Sequence, residues 1–161
     1  MRRNPAGPGD RGLSLVEMAA ALAVLAILTT VAMPLGRNLL IRQRETELRH
    51  ALTIMRAAID RYHQAALVGA IKPWDPDWQQ YPPDLETLVE GVELTAAESG
   101  RTRVEHYLRE IPVDPMTGTP DWILRSYQMD ADDTAWDGQN VFDVRSSSTG
   151  TALDGTNYSD W

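Results

Sequence analysis

Two hydrophobic patterns follow one another in the first half of the chain. The first is a run without charge, 19 residues from Met18 to Gly36. The second is a stripe: Leu48, Leu52, Met55, Ile59, Tyr62 and Ala66 step by four and three. Such steps keep apolar side chains on one face of a helix with 3.6 residues per turn. Arg42, Arg44, Glu45, Glu47, Arg49, Arg56, Asp60 and Arg61 fall on its other faces. Glu45 and Arg49 stand at i,i+4, a pairing worth roughly 0.2–0.5 kcal/mol on a helix surface.

With Leu13, Leu15 and Val16 added, the uncharged run reaches the ~20 residues that a helix needs to span a bilayer. Glu17 is the exception inside it. Arg2, Arg3 and Arg11 precede the run, which predicts a cytoplasmic N-terminus and a translocated remainder. The apolar region exceeds the ~7–15 residues of a cleavable secretory signal, and no good small-x-small cleavage site follows it. Pro34 removes one backbone hydrogen bond and predicts a kink or a loosened turn, helped by Gly36. Val68-Gly69 is the predicted stop, with Pro73 beyond it. A helix from Leu13 to about Leu67 would be ~80 Å long at 1.5 Å per residue. Only its second half has the pattern to pack on a small domain.

From residue 73 the pattern breaks into short pieces. Pro73-Trp74-Asp75-Pro76-Asp77-Trp78 reads as a loop. Tyr81-Pro82-Pro83-Asp84 leads into a short helix carrying Leu85, Leu88 and Val89, with Asp84 as N-cap. Thr102–Arg109 fits a helical turn or an extended segment equally well. In Ile111-Pro112-Val113-Asp114-Pro115-Met116-Thr117-Gly118 two prolines stiffen the chain and Gly118 permits a turn. Trp122–Met129 and Asn140–Ser146 alternate as strands, separated by an acidic turn over 130–138. Together these predict an α+β fold, a small antiparallel sheet laid on a long N-terminal helix.

Charge sharpens the division. The chain of 161 residues has a net charge of −8. Residues before 73 hold 10 Lys/Arg against 5 Asp/Glu; from Pro73 onward the count is 5 against 18, a net −13. Such a distal half repels nucleic acid and anionic lipid, and accepts a basic partner or a cation. There is no cysteine, so disulfides and thiolate metal sites are excluded. His50, His63 and His106 lack metal-ligand spacing, and no phosphate-binding glycine loop or nucleophile elbow is present. Ser146-Ser147-Ser148 reads as a polar linker. The chain is therefore not expected to be an enzyme.

The stretch Gly12-Leu13-Ser14-Leu15-Val16-Glu17 resembles the processing site of type IV pilins and pseudopilins. The resemblance implies that a prepilin peptidase cuts between Gly12 and Leu13 on the cytoplasmic side, and that the new amine of Leu13 is methylated. Leu13 stands where the family usually has phenylalanine. Glu17 becomes the fifth mature residue, the position of the family's glutamate. Pro34 falls where the family often has a helix-kinking proline. A carboxylate at the centre of a spanning helix costs roughly 2.5–3.5 kcal/mol, tolerable when a cation neutralises it. The freed amine titrates near ~8 and supplies that cation. On a neighbouring helix shifted along the axis it meets Glu17, which in the family sets subunit register in the filament.

Tyr81-Pro82, a Leu-containing helix and then Ile111-Pro112-Val113-Asp114-Pro115 are similar to the major pseudopilin of type II secretion systems. Met116 replaces the tryptophan that many relatives have there. The tail from Phe142 to Trp161 is similar to relatives that end in tryptophan. The resemblance implies a leader (1–12), a transmembrane and polymerisation helix (13–36), its amphipathic continuation (37–68) and a periplasmic domain (73–161). It also implies an inner-membrane subunit of a periplasmic pseudopilus, a homopolymer meeting minor pseudopilins, the secretion platform and membrane lipid, with no nucleic acid. The alternatives are a pilin of a type IV pilus and a membrane-anchored binding domain that never polymerises. Many such pseudopilins hold calcium in the C-terminal loop through 6–8 oxygens. Asp137, Asp154 and Asp160 are the candidate ligands here, although no Asp-x-Asp-x-Asp-Gly loop exists.

Overall fold

A computed structural model of the chain describes residues 14–95, 103–130, 133 and 135–161, with the backbone alone at 31–36 and 76. Its first element, α1, is a helix of 53 residues, Leu15–Leu67. The helix continues through Pro34, as the apolar run requires: once the run leaves water, helical hydrogen bonding is what satisfies its backbone. It stops where expected. Gly69 takes φ +72, its N–H donates to Ala66 O (3.0 Å), and Ala70 N–H donates to Ala65 O (2.9 Å). These are the two bonds of a Schellman cap, which uses a left-handed residue to satisfy the last carbonyls.

The chain divides into two compact units, residues 1–40 and Ile41–Trp161. In the described part of the first, α1 meets nothing else. In the second, the α1 stripe is the spine of the core. Leu48, Leu52, Met55, Ala58, Ile59, Tyr62 and Ala66 are all buried, clustered with Ile71, Leu85, Leu88, Tyr107, Leu108, Val141, Val144, Ala152 and Tyr158. The step of four and three seen in the sequence is thus the contact line between helix and domain.

Helix α2 spans Leu85–Glu90. Asp84 caps it as expected, accepting from Thr87 N–H (2.7 Å) and Thr87 Oγ1 (2.6 Å). The α2 carbonyl of Leu88 then accepts both Tyr107 N–H and Leu108 N–H at 3.0 and 2.9 Å. Among the described residues two small antiparallel sheets follow in place of one. In the first, β1 (Val92–Glu93) pairs with β2 (Val104–Glu105). Within the described part of Thr102–Arg109, Val104–Glu105 is thus extended, and the chain bends at Tyr107 and Arg109. In the second, β3 (Trp122–Arg125) pairs with β4 (Asp143–Ser146), Leu124 opposite Val144.

Both strands of the second sheet are shorter than the alternation suggested. Beyond Arg125, buried Asn140 takes over the ladder. Its Oδ1 accepts Tyr127 N–H (3.0 Å) and its Nδ2 donates to Gln128 Oε1 (2.6 Å). Side-chain bonding of this kind competes with strand pairing and turns the chain. Arg125 holds the acidic turn, donating to the carbonyls of Asp130 and Asp133. Ser146 is no linker residue: it closes β4 fully buried, with its Oγ donating to Asp114 Oδ2 at 2.5 Å.

Candidate assembly helix and tail

Glu17 lies in the first turn of α1 and is exposed. A carboxylate there complements the positive end of the helix dipole. Gly12 and Leu13 lie outside the described residues, and of Pro34 only the backbone is described. Around Glu17 the helix surface is apolar and open. Leu15 is 85 % exposed, Val16 73 %, and Leu22, Ile27 and Leu28 at least 60 %. Thr29 and Thr30 interrupt the run only nominally, since their hydroxyls donate to Leu25 O (2.7 Å) and Ala26 O (2.9 Å). A hydroxyl bonded to its own helix can enter an apolar environment without an orphaned donor. Contiguous apolar surface of this extent marks contact with lipid or with other protein. Among the described residues no helix is long and apolar enough to cross a membrane. The uncharged run itself extends six residues past Thr30, the last of its residues whose side chain is described.

Residues 8–33 match the prokaryotic N-terminal methylation motif. That match supports a type IV pilin-like protein processed as a prepilin. Proteins of this kind are structural rather than enzymatic, and they polymerise after peptidase processing. Neither a curated protein nor a solved structure matches the chain.

The three acidic candidates for calcium do not converge. Asp137 Oδ2 accepts Ser126 Oγ–H (2.7 Å) and its Oδ1 accepts Gln139 N–H (3.1 Å). Asp154 Oδ1 accepts Thr156 N–H (3.0 Å) and Thr156 Oγ1–H (2.7 Å). Those bonds, with Arg49 nearby, hold its carboxyl below the usual carboxylate range. Asp160 Oδ2 accepts Asn157 Nδ2–H at 3.1 Å. Among the described residues no three acidic or histidine side chains are grouped as metal ligands. The histidines are dispersed as well: His50 is exposed on α1, His63 stacks on Tyr81 at 4.1 Å, and His106 Nδ1 meets Val89 O at 2.8 Å.

The polar face of α1 does something the sequence did not reveal. Glu45 and Arg49 do not pair with each other. Glu45 Oε1 accepts Leu153 N–H (2.8 Å) and the Tyr158 hydroxyl (3.2 Å). Arg49 faces Asp154 at 3.6 Å and lies over the Trp161 ring, 4.2 Å from its centroid. Arg56, two turns further along the same face, donates to Asp143 Oδ1 at 2.7 Å, Val144 O at 3.0 Å and the main-chain oxygen of Trp161 at 2.5 Å. These contacts join residues 87 to 113 positions apart, so no local spacing could have announced them. The excess of arginine on α1 over an acidic distal half was the only available sign.

Proposed function

We propose that the chain is a structural subunit of a periplasmic pseudopilus that drives protein export by type II secretion. In this reading a peptidase removes residues 1–12, Leu13 is N-methylated, and the mature chain waits in the inner membrane through residues 13–36. Assembly moves that helix from lipid into a bundle of identical helices. One observation carries the reading: the apolar surface of α1 is open within the very stretch, residues 8–33, that matches the methylation motif. Both lipid and a bundle cover such a surface, so one helix serves monomer and filament.

The secretion assignment is supported by the Ile111–Asp121 segment. Buried Asp114 accepts Met116 N–H (2.7 Å) as well as Ser146 Oγ–H, and Trp122 Nε1–H donates to Pro112 O (2.9 Å). The Ile-Pro-Val-Asp-Pro motif is thus a built corner that ties the sheet to the preceding loop. Glu17 is the registration residue, paired with the terminal ammonium of the next subunit. Glu17→Ala should leave the protein in the membrane fraction and reduce fibres at least tenfold when assembled material is sheared, pelleted and imaged. Undiminished fibres from that variant would refute the pairing. Fibres that appear on the cell surface without a secretion defect on deletion would instead assign the chain to a type IV pilus.

A further inference from the structure

The tail holds its own cation. We propose that the Arg56 guanidinium, seconded by Arg49, fastens residues 143–161 to α1 as a bound cation would. A cation site in a loop needs carboxylate and carbonyl oxygens brought together from several chain segments. Arg56 gathers that mixture: the Asp143 carboxylate and the Val144 carbonyl from β4, and the main-chain oxygen of Trp161 from the tail. Its fork geometry lets one side chain serve oxygens in different directions, which a spherical ammonium does less well. The site is partly shielded, with the Arg56 and Asp143 side chains 38 % and 23 % exposed. Arg145 shares the same carboxylate at 3.9 Å, adding a second positive charge.

Arg49 extends the clasp outward. It sits between Asp154 and the face of Trp161, while Trp161 Nε1–H donates to Thr156 Oγ1 (2.7 Å) and Tyr158 packs edge-on to the same ring. The Arg49–Asp154 pair is exposed on both sides, so water and salt weaken it. The hydrogen-bonded Arg56 set is the stronger half. The candidate calcium ligands do not fit a competing ion. Asp154 and Asp160 already accept bonds from neighbours in the tail, and a divalent ion beside Asp154 would meet the charge of Arg49. Arg56 and Arg49 both lie on α1, so the order of the tail is coupled to the amphipathic half of that helix. The clasp itself stands whether or not the chain polymerises.

Amide hydrogen exchange of the full chain in detergent micelles tests this. In the wild type, protection of residues 152–161 should be the same in millimolar calcium and in EDTA. Arg56→Met keeps the apolar stem and should speed exchange of that segment at least tenfold, with residues 48–66 still protected; Arg56→Lys should fall between. If Arg56→Met fails to fold, Asp143→Asn removes only the partner charge and should loosen the same segment. Calcium-dependent protection of the wild-type tail, or a tail indifferent to both substitutions, overturns the proposal.

Discussion

At the residue scale, burial decides which polar groups are free to titrate. Tyr62 sits in the core against Tyr107, ring centroids 5.5 Å apart. Burial, then Tyr107 and then Asp84, push its phenol up to about 12. An unfolded tyrosine titrates near ~10, so the folded state holds this proton more tightly. Its contribution is therefore complete below pH ~10 and is lost as pH rises from there towards about 12. Tyr62→Phe should move the alkaline unfolding midpoint to higher pH, read by circular dichroism in micelles; an unchanged midpoint would place the titration elsewhere. Glu17 is the contrasting case. Its position within an uncharged run was legible from the sequence alone, because a single charge there has few physical uses. Asp114 was legible only as a stiff turn. Its buried bond to Ser146 joins residues 32 apart and depends on the sheet being formed.

At the element scale, helices were easier to read than strands. The α1 stripe and its Gly69 stop follow from local periodicity and one left-handed residue. The β3 and β4 boundaries depend on Asn140, whose side chain takes a ladder position that alternation cannot reveal. Strand β1 is two residues long and gave no periodic signal at all. Two glycines separate strain from space. Gly69 has nothing within 4 Å of a built Cβ, so Gly69→Ala should cost roughly 1–2 kcal/mol, the left-handed penalty alone. Gly91, at φ +85, would place a Cβ 2.8 Å from Glu105 O and 2.6 Å from Val104 Cγ1. Gly91→Ala should therefore cost clearly more and should separate β1 from β2. Thermal melts of the two variants in the same detergent check the order; equal shifts would contradict the packing described for α2 and β2.

At the scale of the whole molecule, the division of charge and hydropathy carries the functional reading. An apolar, then basic, helix and an acidic domain of short elements were plain in the sequence. How the tail is held was not, because Arg56 and Asp143 are brought together only by the folded core. A short stretch carrying Arg2, Arg3 and Arg11 precedes a helix whose apolar surface is open among the described residues, and residues 8–33 match the prokaryotic N-terminal methylation motif. In the proposed assembly, processing creates the cation which allows Glu17 to enter an apolar bundle. Intact mass spectrometry of the protein recovered from cell envelopes tests it most directly. A chain beginning at Leu13 and carrying one methyl group on its amine is expected. A chain that still bears residues 1–12, or begins elsewhere, would contradict the account.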